Sequence, residues 1–277
     1  MRENELIYKT YTRIFGYLYS SLFNQVKNFC IFIGYPRSGS SIIGSIIDSH
    51  KNALISHELN ILDYYLRGYT QNQIFYLIKR NSRIFKHLNR LSAGYPGIIP
   101  NQWNGEFSKI CLIGDKRAGG SSKIVFENPK ILISFQNSLK INLKILHVIR
   151  NPFDIIATEA KGGTFINKEI TEQDIWNKID FFFQKLDTIS ILKSRNQYDI
   201  LDIKLEELIR NPKNMIERIL DFLELENYNK YIEDCTKILF KDPHITRYTI
   251  PWASEQINKI NLEIKKYSIL KGYTYEE

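Results

Sequence analysis

The chain has 277 residues, 43% of them hydrophobic and 25% charged, which is enough apolar surface to form one large core. Its three cysteines are far apart and odd in number, which argues against a disulfide framework and against a cysteine-rich metal site. The net charge of +8 suits an anionic ligand, a nucleic acid or an acidic membrane surface, and composition does not choose among these partners.

Residues 1–27 are predicted to form an N-terminal helical extension of a single domain that spans residues 1–277. This segment mixes apolar residues with a few cations and lacks the continuous apolar run of a signal peptide. No stretch of the sequence reaches the length and apolarity needed to cross a bilayer. We therefore expect a cytoplasmic protein whose extension packs on the core, with peripheral membrane contact through this helix as the alternative.

Short apolar runs predict buried strands, and the amphipathic stretches between them predict helices. The strands are expected over residues 29–33, 53–56, 110–113, 145–149 and 199–203. The helices are expected over residues 41–48, 71–91, 129–139, 152–160 and 212–223, with a loop over 94–105 and mostly helix from 171 onward. This alternation predicts an α/β fold in which a parallel β-sheet is flanked by helices on both faces, with a helical insertion after the second strand.

A glycine-containing loop, Gly34-Tyr35-Pro36-Arg37-Ser38-Gly39-Ser40-Ser41, connects the first predicted strand to an apolar helix. In this context backbone N–H groups can surround a phosphate. The loop resembles the P-loop of nucleoside triphosphatases, but Ser40 stands where that pattern has Lys, and the cation is Arg37 instead. Because the Lys that reaches the terminal phosphates of a nucleoside triphosphate is absent, a kinase or nucleotide-binding protein that uses ATP is the weaker, alternative interpretation. A strand-to-helix turn that binds no ligand would also account for the loop alone.

A second pattern of the same kind follows the fourth predicted strand. Arg150 lies at the strand exit, Pro152 begins a helix, and Thr158 comes about two turns along that helix. A phosphate beside the helix N-terminus could contact both side chains. A surface ion pair would explain Arg150 alone, and an exposed helix position would explain Thr158. Their joint occurrence after the first loop favours a ligand with two phosphate groups.

The two patterns together resemble the sulfotransferases that use 3′-phosphoadenosine-5′-phosphosulfate (PAPS). Residues 36–41 look like the family's 5′-phosphosulfate loop, P-[RK]-S-G-[ST]-[ST], and Arg150 with Thr158 looks like its 3′-phosphate site, with Thr in place of the usual Ser. The resemblance implies a P-loop-like fold, PAPS as donor, adenosine 3′,5′-bisphosphate (PAP) as product and no metal. It implies that Arg37 acts in catalysis, contacting the phosphosulfate and balancing the charge that develops on the bridging oxygen. It also implies that Ser38, Gly39, Ser40 and Ser41 hold the 5′-phosphate.

Two further segments supply candidate catalytic groups. Ser56-His57-Glu58 ends the second predicted strand, and it resembles the tyrosylprotein and bacterial branch of the family, which implies Glu58 as the base. His57 remains a rival, because an unperturbed imidazole pKa near ~6.5 suits proton transfer. Gly114-Asp115-Lys116-Arg117 follows the third predicted strand and resembles the family's second catalytic cation, which implies that role for Lys116. A Glu that caps a helix and a solvated Lys are the structural alternatives.

The remaining resemblance is in the C-terminal third. Leu205 replaces a Tyr that the family often places near the adenine, so the adenine contacts stay unassigned, and Ser254 is implied to reach the cofactor. Residues 59–108 match no segment of the family, and their Tyr, Arg and Trp residues predict an acceptor-binding insertion. The predicted function is transfer of the sulfuryl group from PAPS to an acceptor hydroxyl of a carbohydrate, a peptide tyrosine or a small metabolite, by in-line displacement with a carboxylate base.

Two non-enzymatic interpretations compete with this one. A basic nucleic-acid-binding protein would use the same cations for backbone phosphates, but no recognition helix or RNA module is evident, so no nucleic-acid partner is predicted. A catalytically silent relative that only binds PAPS would be expected to lack Glu58 and Lys116, and both are present.

Overall fold

The core of the molecule is a parallel β-sheet of five strands. The computed structural model describes residues 2–88, 97–162 and 169–276. The strands are β1 (Asn28–Phe32), β2 (Ala53–His57), β3 (Leu112–Lys116), β4 (Asn142–Ile149) and β5 (Asp199–Lys204). They lie in the order β2-β3-β1-β4-β5, and every neighbouring pair is parallel. The predicted α/β class is confirmed.

Helices connect the strands. They are α1 (Arg2–Leu18), α2 (Ser40–Asp48), α3 (Ile61–Leu66), α4 (Gln71–His87), α5 (Ala118–Glu127), α6 (Ile131–Leu139), α7 (Pro152–Ala160), α8 (Glu172–Ser194), α9 (Leu205–Arg210), α10 (Pro212–Phe222), α11 (Asn229–Lys237) and α12 (Ser254–Ile264). The predicted helices over 41–48, 129–139, 152–160 and 212–223 correspond to α2, α6, α7 and α10. The sequence did not indicate α5, because its Gly and Ser residues have low helix propensity.

Two predicted segments fall partly outside the described residues. The helix expected over 71–91 is observed as α4, which ends at His87, and residues 89–91 of that prediction lie outside the described ranges. Of the loop expected over 94–105, residues 97–105 form turns without helix or strand, and residues 94–96 are outside.

The sheet is buried on both faces, as a parallel sheet requires. Along β1, Phe29 and Ile31 contribute to the core formed with α4, α6, α7 and α8, whereas Cys30 and Phe32 contribute to the core formed with α2, α10 and α11. Successive side chains of a strand point to opposite faces, so one short apolar run supplies both cores.

The third strand corrects one prediction. The sequence placed it over 110–113, with Asp115 and Lys116 beyond its end, but β3 extends to Lys116 and both residues belong to the strand. Ser56 pairs with Asp115 and His57 pairs with Lys116 across β2 and β3. The apolar run ends at Ile113, so hydrophobicity marks the strand end too early. Charged residues continue the strand because their side chains find buried partners.

The N-terminal helix α1 packs on α4. The hydroxyl groups of Tyr11 and Tyr76 are 2.8 Å apart, and the Tyr76 ring stacks on the rings of Phe15 and Tyr19. No helix in residues 2–88, 97–162 or 169–276 is both long and apolar enough to span a membrane.

Candidate active site

The strand ends of one sheet edge bring most of the predicted residues to a single cavity of about 610 Å³. Because all five strands are parallel, the loops that follow them meet at the carboxyl edge, where open α/β sheets bind ligands. The predicted site residues that line the cavity are Arg37, Gly39, Ser40, Ser41, Glu58, Arg150 and Thr158. The remaining three, Ser38, Lys116 and Ser254, do not line it.

The predicted phosphate loop, residues 34–41, is held by a hydrogen bond within the loop and by contact with Leu205. The Ser38 hydroxyl is buried and donates to the carbonyl of Tyr35 at 3.1 Å, so this side chain closes the loop. Gly39 precedes α2 with φ of 93°, and a Cβ there would lie 2.6 Å from a methyl carbon of Leu205. A larger residue would therefore be strained and would also clash. Among the described residues, no side chain caps the N-terminus of α2, where the first backbone N–H groups of a helix have no intrahelical partner.

Arg37 points its guanidinium at a carboxylate of the same cavity. Its backbone adopts the left-handed region with φ of 62°, which is uncommon for a residue with a side chain. Its Nε atom is 3.3 Å from Oε1 of Glu159, which directly follows Thr158 in α7. Lys178 also approaches Glu159, at 3.7 Å. The predicted phosphosulfate contact, Arg37, is thus already paired with a carboxylate of the same cavity.

Glu58 and Lys116 form an ion pair at the base of this site. The Lys116 ammonium is 2.7 Å from Oε1 of Glu58 and 3.1 Å from the hydroxyl oxygen of Ser41. The Lys116 side chain is only 2% exposed. Its stem passes over Gly44 of α2, where a Cβ would lie 2.8 Å from Lys116 Cγ. One cation therefore reaches both the phosphate loop and the candidate base.

A buried carboxylate holds the turn that carries Glu58. Glu58 has φ of 59°, and the Asp115 carboxylate accepts hydrogen bonds from the backbone N–H groups of Leu59, Asn60 and Ile61 at 2.8 to 3.1 Å. The Ser56 hydroxyl donates to the same carboxylate at 2.7 Å. Burial raises the pKa of the Asp115 carboxyl, and these hydrogen bonds oppose the rise.

Arg117 completes the support of Glu58. Its guanidinium donates to the Glu58 carbonyl oxygen at 3.0 Å, and the Glu58 N–H donates to the Lys116 carbonyl oxygen at 3.1 Å. Three consecutive residues, Asp115, Lys116 and Arg117, therefore fix the backbone and the side chain of the candidate base. The sequence indicated a role for Lys116 alone.

His57, the rival base, lies outside the cavity. Its ring stacks on Phe85 with the centroids 3.7 Å apart, and its side chain is 2% exposed. Its Nε2 atom is 3.8 Å from Oδ2 of Asp48, in the space between β2 and α4. Of the two candidates that the sequence left open, Glu58 is the one whose side chain lines the cavity.

The far end of the cavity combines Arg150 and Thr158 with a segment that the sequence did not indicate. Arg150 donates to the carbonyl oxygen of Arg37 at 3.3 Å, to the carbonyl oxygen of His244, and to the Thr246 hydroxyl at 3.3 Å. The hydroxyl oxygens of Thr158 and Thr246 are 3.0 Å apart. A guanidinium and two hydroxyl groups thus converge on one point.

A second buried aspartate fixes this end. Asp154 of α7 accepts hydrogen bonds from the backbone N–H groups of Thr246 and Arg247 at 2.7 and 2.8 Å. It also forms an ion pair with the Arg247 guanidinium at 3.1 Å. The helix that carries Thr158 therefore holds the segment that carries Thr246.

Two sequence predictions are not brought to the cavity. Ser254 is the first residue of α12, is exposed, and is not among the residues that line the cavity. Among the described residues of 59–108, none lines the cavity either. The described parts of the chain contain no group of three or more His, Cys, Asp or Glu residues arranged to hold a metal ion. Both Ser254 and the acceptor role of 59–108 stay predictions.

Comparisons with known proteins agree with the fold. Residues 29–262 match the family model described as a sulfotransferase domain. The sulfotransferase STF9 from Mycobacterium avium has a TM-score of 0.53 at 10% identity, over 93% of this chain and 81% of that one. Mouse sulfotransferase SULT7A1, solved as a complex with PAP, has a TM-score of 0.47 at 12% identity, over 89% of this chain and 87% of that one. No curated protein sequence matches the chain.

Proposed function

The chain belongs to the sulfotransferase domain family, as its sequence motifs predicted, and we propose that it transfers the sulfuryl group of PAPS to an acceptor hydroxyl. One observation carries the proposal. A single cavity is lined by the phosphate loop, by Glu58, and by Arg150 with Thr158. A donor with phosphate groups at both ends and a reactive group at one of them suits this arrangement.

The proposed donor lies along the cavity with its phosphosulfate on the loop. The N–H groups at the start of α2 bind the 5′-phosphate, because a helix N-terminus carries partial positive charge and unsatisfied donors. Arg37 contacts the phosphosulfate. At the far end, Arg150, Thr158 and Thr246 bind the 3′-phosphate, the group that distinguishes PAPS from ATP. We include Thr246 because its hydroxyl lies beside the hydroxyl of Thr158.

The proposed reaction is an in-line displacement at sulfur. The acceptor oxygen forms a bond to sulfur while the bond between sulfur and the bridging oxygen of the 5′-phosphate breaks. The acceptor proton passes to the Glu58 carboxylate, and PAP leaves with the bridging oxygen. Lys116, which contacts both Glu58 and Ser41, changes partner to the sulfuryl and bridging oxygens as the donor binds. Cations placed where negative charge develops stabilise the transition state.

The test is formation of PAP from PAPS in the presence of a panel of hydroxyl acceptors: a simple phenol, a tyrosine-containing peptide and a monosaccharide series. We expect PAP and a sulfated product in equal amounts with at least one acceptor class. ATP with magnesium, given to the same preparation, should yield no ADP above the blank. ADP from ATP, with no PAP from PAPS, would contradict the proposal and support the kinase alternative.

A further inference from the structure

Helix α1 has apolar side chains on two sides. On one side Tyr11, Phe15 and Tyr19 pack around Tyr76 of α4. The other side faces solvent, and its five large apolar residues are exposed: Leu6 by 67%, Ile7 by 68%, Ile14 by 55%, Tyr17 by 76% and Leu18 by 63%. With 3.6 residues per turn, these five positions fall within an arc of about 120°, and we call them the α1 stripe.

The residues of the α1 stripe share one arc of the helix, with the exposed Thr10 between Leu6 and Ile7 on one side and Ile14, Tyr17 and Leu18 on the other. Single exposed apolar side chains are ordinary on protein surfaces, whereas contiguous patches mark sites of interaction. Packing of α1 on α4 does not require the α1 stripe, because the opposite side of the helix already makes that contact. The five exposed apolar side chains of the α1 stripe are therefore not explained by the packing of α1 on α4.

Cations border the α1 stripe. Arg13, itself exposed, lies beside Leu6 and Tyr17 on the helical projection of α1. On α4, Arg80 and Arg83 are exposed. Burial raises the pKa of Tyr76, whose hydroxyl contacts that of Tyr11, and the charge of Arg80 opposes the rise. Residues 76, 80 and 83 follow the i, i+4, i+7 spacing of one helix face, so these cations share the face of α4 that carries Tyr76. Tyr11, which contacts Tyr76, lies beside Leu18 of the α1 stripe on the helical projection.

Of the two acidic residues of α1, Glu3 falls within the arc of the α1 stripe on the helical projection, and Glu5 is engaged away from it. Glu5 of α1 forms an ion pair with Arg67 at the end of α3, and Arg67 pairs with Asp63 at 3.4 Å. On the helical projection, Glu5 lies on the side of α1 away from the α1 stripe. The exposed face therefore combines five apolar side chains with cations at its edges and one acidic position, Glu3, at its N-terminal end.

We propose that the α1 stripe and its bordering cations bind the surface of a lipid bilayer that contains anionic lipids. A helix with an apolar face and flanking Lys and Arg residues lies in the plane of the interface, with its apolar side chains among the acyl chains and its cations at the headgroups. The face is that of a single helix, and a lipid surface adapts to such a face without a matching groove. This proposal is independent of the proposed function.

The test is flotation of the full chain with vesicles of phosphatidylcholine, with and without phosphatidylglycerol. We expect binding to the anionic vesicles that weakens as salt rises. Ile7→Ser with Ile14→Ser, and separately Arg80→Ala with Arg83→Ala, should each weaken binding by roughly tenfold or more. The matched controls are Leu262→Ser, an apolar residue 60% exposed on α12, and Lys213→Ala with Arg218→Ala on α10 at the opposite edge of the sheet.

Three results would overturn the proposal. Equal binding to both vesicle types would exclude recognition of anionic lipids, and loss of binding in the α10 control would show that any cation suffices. Absence of binding, together with a dimer in light scattering that Ile7→Ser with Ile14→Ser dissociates, would assign the α1 stripe to a second copy of the chain.

Discussion

The two ends of the cavity are built in different ways. At one end, which we call the catalytic end after its proposed role, Lys116 forms an ion pair with Glu58 and Arg37 forms one with Glu159. At the far end, Arg150 and Thr158 meet Thr246, which comes from a segment much later in the chain. The catalytic end is assembled from the carboxyl ends of β1, β2 and β3 together with Glu159 of α7, and the far end joins α7 to a segment much later in the chain. We infer that the first end sets turnover and the second sets affinity for the 3′-phosphate.

The largest expected effect separates these two roles. Glu58→Gln removes the proposed base and keeps the shape of the side chain, so turnover should fall by about 10²- to 10⁴-fold. The affinity for PAP, measured by calorimetry, should stay within a few-fold. His57→Gln is the matched control, because that ring lies against Phe85 outside the cavity. Normal turnover of Glu58→Gln, with turnover lost in a folded His57→Gln, would contradict the assignment.

Arg150→Ala should have the next largest effect, on affinity. Hydrogen bonds to charged groups contribute about 1.5–3 kcal/mol, so the Kd for PAP should rise by roughly 10- to 100-fold. The Kd for ADP, which has no 3′-phosphate, should change much less. If Arg150→Ala weakens PAP and ADP equally, Arg150 does not bind the 3′-phosphate, and the comparison of the two ends fails.

The two buried aspartates sharpen the comparison, because each accepts backbone N–H groups at one end. Asp115→Asn replaces an acceptor oxygen by a donor at the Glu58 turn, and we expect turnover to fall by about tenfold with little change in the Kd for PAP. Asp154→Asn should raise the Kd for PAP with little change in turnover, because the Asp154 carboxylate accepts the backbone N–H of Thr246.

Both aspartate variants should lower the free energy of unfolding, by about 1–3 kcal/mol, since each leaves a buried N–H group without its acceptor. Denaturant unfolding measures this loss. A purely structural role would give equal effects on turnover and PAP affinity in the two variants, and that result would remove the distinction between the ends.

The smallest expected effects come from the two hydroxyl groups. Thr158→Val and Thr246→Val each remove one hydrogen bond to the 3′-phosphate from an uncharged donor, so each should raise the Kd for PAP less than Arg150→Ala does, by about fivefold. Because the two hydroxyl oxygens are 3.0 Å apart, the double variant should deviate from additivity. Additive effects within error would place the two groups on separate parts of the ligand.

The sequence predicted the fold class, and it indicated most of the residues that line the catalytic end of the cavity, because both depend on local patterns. Strand, loop and helix follow one another around residues 34–48, and the parallel sheet then brings Glu58 to the same edge. Patterns of this kind can be recognised in a single sequence, since backbone geometry sets the spacing of apolar and glycine residues.

Thr246 and the supporting role of Asp115 could not be predicted in this way. Thr246 lies in a segment without strong periodicity, and only the contact with Asp154 brings it to Thr158. The sequence placed Asp115 after the third strand, because the apolar run ends before it, whereas Asp115 belongs to β3. A buried carboxylate that accepts three backbone N–H groups is a property of the folded turn, and nothing in the residue order specifies it.

The most direct test of the central claim is calorimetric titration of the unmodified protein with PAP, ADP and ATP with magnesium at one salt concentration. This measurement requires no knowledge of the acceptor. The account predicts that PAP binds at least tenfold more tightly than ADP, because only PAP reaches Arg150, Thr158 and Thr246. Equal affinities for PAP and ADP, or a preference for ATP with magnesium, would contradict it.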